Sequence, residues 1–169
     1  ETPASFNVLH GDLGESSKFG ESVWTQMTRK LPMTLKLAGV SLVAVILISF
    51  PLGVLSAVKK NKTADYIIRF LSFFGVSMPN FWLALLLMYI FAVRLGWFKV
   101  VSTDSIGGMI LPVATLTIPM ISSYARQIRA ALLEELNANY VIGARARGIP
   151  ERRIIWGHVL PNAILPIIT

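Results

Sequence analysis

The chain has 169 residues, of which 54% are hydrophobic and only 15% charged, and it carries a net charge of +7. Soluble domains carry about 25% charged residues, so this balance excludes an ordinary soluble domain and points to the membrane class. Cysteine is absent, which excludes disulfides and thiolate metal sites and leaves the redox compartment open.

The charge is gathered into blocks. Residues 1–36 hold four Lys/Arg and four Asp/Glu, residues 59–69 hold four against one, and residues 94–105 hold two against one. Residues 126–158 hold six Arg against three Glu, and everything between these blocks is formally uncharged. Charge alone therefore separates loops from spans.

Residues 1–30 are polar and bear Gly and Ser (HGDLGESSKFGESV). They read as an extracytoplasmic segment with a short amphipathic helix at 22–30, after which Leu31-Pro32 leads toward the membrane. Three uncharged windows follow, at 37–58, 70–93 and 105–125, each of 21 to 24 residues. A bilayer-spanning helix needs about 20 residues, so each is predicted to span. A fourth apolar run, 159–169, reads as the start of another span, which makes the chain a fragment of a longer protein.

Orientation follows from Lys/Arg placement, because cytoplasmic loops carry the excess of basic residues. The loops 59–69 and 126–158 hold ten of the sixteen Lys and Arg, and the count of spans places both on one side. That side is expected to be the cytoplasm, with the N-terminal segment and the turn at 94–104 facing outward. Trp97 and Phe98 in that turn suit an aromatic belt at the membrane interface.

The first window carries Ser49, Gly53 and Ala57 at four-residue spacing, which lets a second helix approach closely in lipid, and Pro51 is expected to bend it. The second carries Ser77-Met78-Pro79-Asn80. Pro79 frees a carbonyl that must find protein or water, and an amide at Asn80 is costly against lipid. These four residues are the candidate translocation path. The third window contains Pro112, Pro119 and Ser122-Ser123 and is expected to be kinked as well. No Asp, Glu, His, Lys or Arg lies inside any window, which argues against a proton relay or a charged ion path in these spans.

From Arg126 a helix is expected to run on through Tyr140, followed by a helix over 140–147. Gly148 can adopt the left-handed conformation that ends a helix, and Pro150 suits the first position of the next. Glu151 then complements the new helix dipole, and Arg152, Arg153, Trp156 and His158 follow before Leu160-Pro161. Basic charge alone fits anionic lipid. Nucleic acid is disfavoured, because no stacking platform accompanies the charge. The Gly–Pro break between two helices, with small Gly143, Ala144 and Ala146 beside it, favours docking into a partner's cleft.

This stretch resembles the EAA loop of ABC-importer permeases, in which a Gly lies six residues after a Glu and Leu-Pro closes the pattern. Gly148 and Leu160-Pro161 stand at that spacing and Ala144 takes the second Ala, whereas Ile142, Gly143 and His158 depart from it. The fuller string YVxxARAxG…HxLPNA is similar to the dipeptide/oligopeptide/nickel branch. Gly11-Asp12-Leu13-Gly14, Leu31-Pro32-x-Thr34-Leu35-x-Leu37 and SMPNFW also resemble that branch, in the right order and across the whole chain; SMPNFW looks somewhat closer to its nickel members.

The resemblance implies an all-α, multi-pass transmembrane bundle of the type I importer permease fold, with a permease domain over 31–169 and a coupling loop over 131–158. It implies a second permease subunit, two ATPase subunits and an extracytoplasmic solute-binding protein as partners, besides membrane lipid. ATP would be used by the ATPases, leaving the permease without a cofactor or chemistry of its own. Ala144, Arg145, Arg147, Gly148, Ile149, Pro150, Arg152, Arg153, His158, Leu160 and Pro161 would form the ATPase-coupling surface. The expected cargo is nickel or di- and oligopeptides. A channel or secondary transporter with a lipid-binding basic loop is the alternative, and a non-transport scaffold a third reading.

Overall fold

The computed structural model describes residues 13–15, 20–99 and 106–168. Gly11-Asp12 of the outward segment, the later part of the 94–104 turn and Ser105 lie outside the described residues. The chain divides into two compact units, Glu1–Val40 and Ser41–Thr169. In the first, Glu15 and Ser22 form a single antiparallel bridge, and the Val23 N–H donates to the Gly14 carbonyl at 3.0 Å.

Helix α1 runs over Val23–Val58, starting well before the predicted 37 and absorbing the short helix expected at 22–30. The hydropathy window stopped at Arg29, Lys30 and Lys36 because they are charged. Lys and Arg are nevertheless good helix formers, so charge ended the window without ending the helix. Its later part carries Ser41, Val45, Ser49, Gly53, Ser56 and Ala57 as buried residues, and these include the stripe of Ser49, Gly53 and Ala57 read from the sequence. A Cβ at Gly53 would lie 2.6 Å from Ile128 side-chain atoms and 3.0 Å from the Ala125 carbonyl, so backbone and side chain here already touch. Replacing Gly53 with Leu should force the two helices apart and cost about 1–3 kcal/mol by overpacking. Thermal unfolding in detergent checks this against Gly39→Leu, where an added Cβ meets nothing within 4 Å.

Helix α2, Thr63–Ser77, is followed by α3, Asn80–Leu87, which continues as a π-helical stretch, Met88–Arg94. The helix expected over 70–93 is broken at Met78-Pro79, and the pair together is long and apolar enough for one crossing. The chain bends by 102° between the two arms, and α2 starts seven residues earlier, within the supposed loop. Met78 and Pro79 are both extended, at ψ 130° and 139°. Pro79 disfavours the helical region for the residue before it, and here that pressure produces a corner. Phe91 packs against Trp97 and Phe98, with ring centroids 5.7 and 6.4 Å apart, so these two aromatics fold back on α3.

Helix α4, Ile106–Leu136, passes through Pro112 and Pro119 without interruption. It is the central post: α2, α3 and a later helix, α7 (Leu160–Ile168), all pack on it. Asp65 bonds Arg129 while Gly75 faces Ser122, so α2 runs antiparallel to α4. Gly53 lies on Ala125 and Ile128, and Ala57 shares a buried cluster with Leu132, so α1 runs parallel to it. The turn after α1 and the chain after α4 therefore emerge at the same end of the bundle. By length and composition α1 and α4 can each cross a membrane, and the bent α2–α3 pair makes up to three crossings.

Candidate functional site

The basic stretch after α4 folds into a compact knob. Helix α4 stops at Leu136 rather than running through Tyr140, because the Asn137 side-chain amide donates to the Leu133 carbonyl at 2.7 Å and Ala138 is extended. Helix α5 follows over Asn139–Ala146. Its end has the paired bonds of a Schellman motif: the Gly148 N–H donates to the Arg145 carbonyl at 2.9 Å and the Ile149 N–H to the Ala144 carbonyl at 3.2 Å. Gly148 has φ +74°, the left-handed value expected from its position. Pro150 is extended, with ψ 139°, and caps α6 (Glu151–Ile154) from outside, one position earlier than the sequence suggested. Its carbonyl accepts from the Arg153 and Ile154 N–H groups at 2.8 and 3.2 Å. A π-helical stretch, Ile155–Val159, then leads into α7.

The knob has its own apolar interior. Val141, Ile154 and Val159 are fully buried and pack with Ala144, Ala57, Ile128, Leu132 and Ala163. Each such side chain contributes about 1.5–3 kcal/mol when fully buried. Tyr140 adds a polar strap: its hydroxyl donates to the Glu135 carboxylate at 2.6 Å. Burial, then the hydrogen bond to Glu135, push the Tyr140 phenol up from its ordinary value.

The residues proposed for coupling divide by position. Ala144 is buried, and Ile149 and Leu160 are half-buried and pack against the interior, so these three hold the shape. Arg145, Arg147, Gly148, Pro150, Arg152, Arg153, His158 and Pro161 are exposed. Pro150, Arg152, Arg153, Trp156 and Gly157 line one shallow open groove. Trp156, 57% exposed, and Gly157 are the two members absent from the set expected from the sequence. An aromatic ring three residues from paired arginines was the available signal.

Arg145 is not simply a free cation. Its guanidinium donates to both carboxylate oxygens of Glu151 across the Gly148–Pro150 turn, with the Nε contact at 3.1 Å. The guanidinium draws the Glu151 carboxyl below its usual value, and the carboxylate raises Arg145 in turn. Both side chains are about half exposed, so the pair is worth at most about 1 kcal/mol. Substituting Arg145 would disturb the turn as well as the surface, and Arg152 and Arg153 are the cleaner probes of docking.

The other candidate group lies at the α2–α3 corner. Ser77 donates to its own helix, to the Phe73 carbonyl at 2.8 Å, while Met78 and Pro79 form the bend and Asn80 begins α3. Ser77, Pro79 and Asn80 are exposed and Met78 is half-buried, so none is used up in packing within this chain. The corner and the knob are separate places, joined through α2 and α4.

Residues 49–169, which include the post, the corner and the knob, match the family described as "Binding-protein-dependent transport system inner membrane component". The chain belongs to this family of importer permeases. It is 38% identical to the oligopeptide transport system permease protein AppB of Bacillus subtilis over 96% of its own length and 55% of the relative's. It is likewise 38% identical to OppB of Haemophilus influenzae, covering 96% of this chain and 54% of that protein. The probable D,D-dipeptide permease DdpB of Escherichia coli is 34% identical over 96% and 56% respectively. The chain thus spans about half the length of the curated relatives it matches. The all-α permease fold expected from the sequence is the fold this family has.

Proposed function

We propose that this chain is the translocating part of an ATP-driven peptide importer and that its knob, residues 139–161, is the handle by which a separate ATPase drives it. The observation that carries the reading is the preformed Schellman turn, which fixes two short helices at one angle and presents Arg152, Arg153 and Trp156 on an open groove. A loop serving only as a lipid anchor requires positive charge and no such internal scaffold. On this reading the partners are a second permease subunit, two ATPase subunits and an extracytoplasmic binding protein. The knob and the turn after α1 face the cytoplasm, and the chain sits in the cell membrane. The corner at Ser77, Met78, Pro79 and Asn80 borders the translocation path, and ATP hydrolysis takes place on the partners.

Peptides are favoured as cargo because the named relatives carry oligopeptide and dipeptide names. Uptake of radiolabelled oligopeptide, dipeptide and nickel by a deletion strain tests it: a fall in peptide uptake supports the proposal, a fall in nickel uptake alone reassigns the cargo, and no fall refutes both. For the handle, the Arg152→Glu, Arg153→Glu double variant should reduce recovery of the ATPase in pull-downs by about tenfold or more, as expected for reversed charges at a docking surface. Full retention of the ATPase by that variant would leave lipid anchoring as the better account.

A further inference from the structure

A second charged surface lies outside the knob, at the turn between α1 and α2. Residues 59–62 read Lys-Lys-Asn-Lys, and all four are exposed. The turn is held tightly: Asn61 has φ +60°, and its N–H donates to the Asp65 carboxylate at 3.0 Å. Asp65 is the one acidic residue in 59–69, and it is fully buried with its charge engaged by Arg129. The lysines therefore project without a neutralising neighbour in their own segment.

The same outer face of α2 continues the pattern. Lys62, Tyr66, Arg69 and Phe73 recur at spacings of three and four and so share one side of the helix. The Arg69 guanidinium lies 5.8 Å from the Tyr66 ring centroid, within cation–π range. Further along α2 the exposed surface is mainly aromatic, with Phe70, Phe73 and Phe74 each more than half exposed. This grading from lysine through tyrosine and arginine to phenylalanine matches the passage from headgroup to acyl chain.

We infer that residues 59–73 form a binding site for an anionic phospholipid, with Lys59, Lys60, Lys62 and Arg69 on the phosphate and Tyr66, Phe70 and Phe73 along the chain. A water-soluble protein partner would not meet the phenylalanines. The four-residue turn, pinned through Asp65 to α4, also has no slack to reach away from the membrane surface. The inference concerns lipid alone and stands or falls independently of cargo and transport.

The test reconstitutes the purified permease in phosphatidylcholine bilayers with trace spin-labelled phosphatidylglycerol or phosphatidylcholine and compares the immobilised fractions. The native protein should prefer phosphatidylglycerol by about fivefold at low salt, the effect of roughly one well-placed cation, with the preference shrinking at 1 M salt. The Lys59→Gln, Lys60→Gln, Lys62→Gln variant should reduce that preference at least about twofold, and the matching Lys→Arg variant should keep it. An unchanged preference in the glutamine variant overturns the site. Loss of the ATPase in pull-downs with lipid preference intact overturns it as well, in favour of protein docking. If the glutamine variant fails to insert, the native protein still decides, since equal immobilisation of both lipids at low salt refutes the inference.

Discussion

Gly148→Val is expected to abolish peptide uptake while leaving the chain inserted in the membrane. The argument rests on backbone conformation alone. Gly148 sits at φ +74°, and a Cβ there would meet nothing within 4 Å, so the space is open and the torsion is not. A β-branched residue in that region is a conformational outlier and costs about 1–3 kcal/mol. The chain can relieve this only by giving up the two Schellman bonds, which tilts α6 and carries Arg152, Arg153 and Trp156 out of register with a partner's cleft. Gly148→Asn is the control, because asparagine tolerates the left-handed region, and it should retain most uptake. Uptake, membrane fractionation and ATPase pull-down on the three proteins check the prediction. Equal loss in both variants would mean that open space, rather than torsion, is what the position requires.

Asp65→Asn should lower stability by about 3 kcal/mol or more, since removing one partner of a buried pair leaves the other charge uncompensated. Asp65 accepts from Ser56 at 2.6 Å, from the Asn61 N–H at 3.0 Å and from Arg129 at 2.7 and 2.8 Å, and it has no exposed surface. These bonds tie the end of α1, the turn and the start of α2 to α4. The Arg129 guanidinium, acting against burial and helped by Ser56 and Asn61, holds the Asp65 carboxyl well below the usual carboxylate range. The sign follows from that depression. The stabilisation is fully present above the ordinary aspartate value of about 4 and is lost as pH falls from there toward the folded value. Thermal midpoints in detergent should therefore carry no Asp65-dependent change between pH 5 and 8. In native protein they should include an acid-labile contribution below about pH 4 that Asp65→Asn lacks. A variant whose midpoint matches the native one at pH 7 would contradict the role assigned to the pair.

What the sequence disclosed, and what it withheld, divides by range. The uncharged windows, the small-residue stripe at Ser49, Gly53 and Ala57, and the left-handed Gly148 were legible, because each depends on composition or on one residue's own torsions. The early start of α1 was hidden because hydropathy reports where lipid is tolerated, and a helix can continue through Arg29, Lys30 and Lys36. The 102° corner was hidden because a proline restricts its predecessor without stating how far the chain will turn. Asp65 looked like a lone acid in a basic loop, since its partner Arg129 is 64 residues away. Arg145 was read as outward charge because nothing local marks Glu151 as its partner across a turn.

The buried interior of the knob has a thermodynamic consequence for whatever grips it. With Val141, Ile154 and Val159 already sealed against α1 and α4, the loop is ordered before any encounter. Binding then incurs little of the ordering entropy that a disordered segment spends on folding, so its contact energy goes largely into affinity. On the proposed reading, a push on α6 is passed to α1 and α4 through this packed interior, where Ile154 meets Ala57, Ile128 and Leu132 in one cluster.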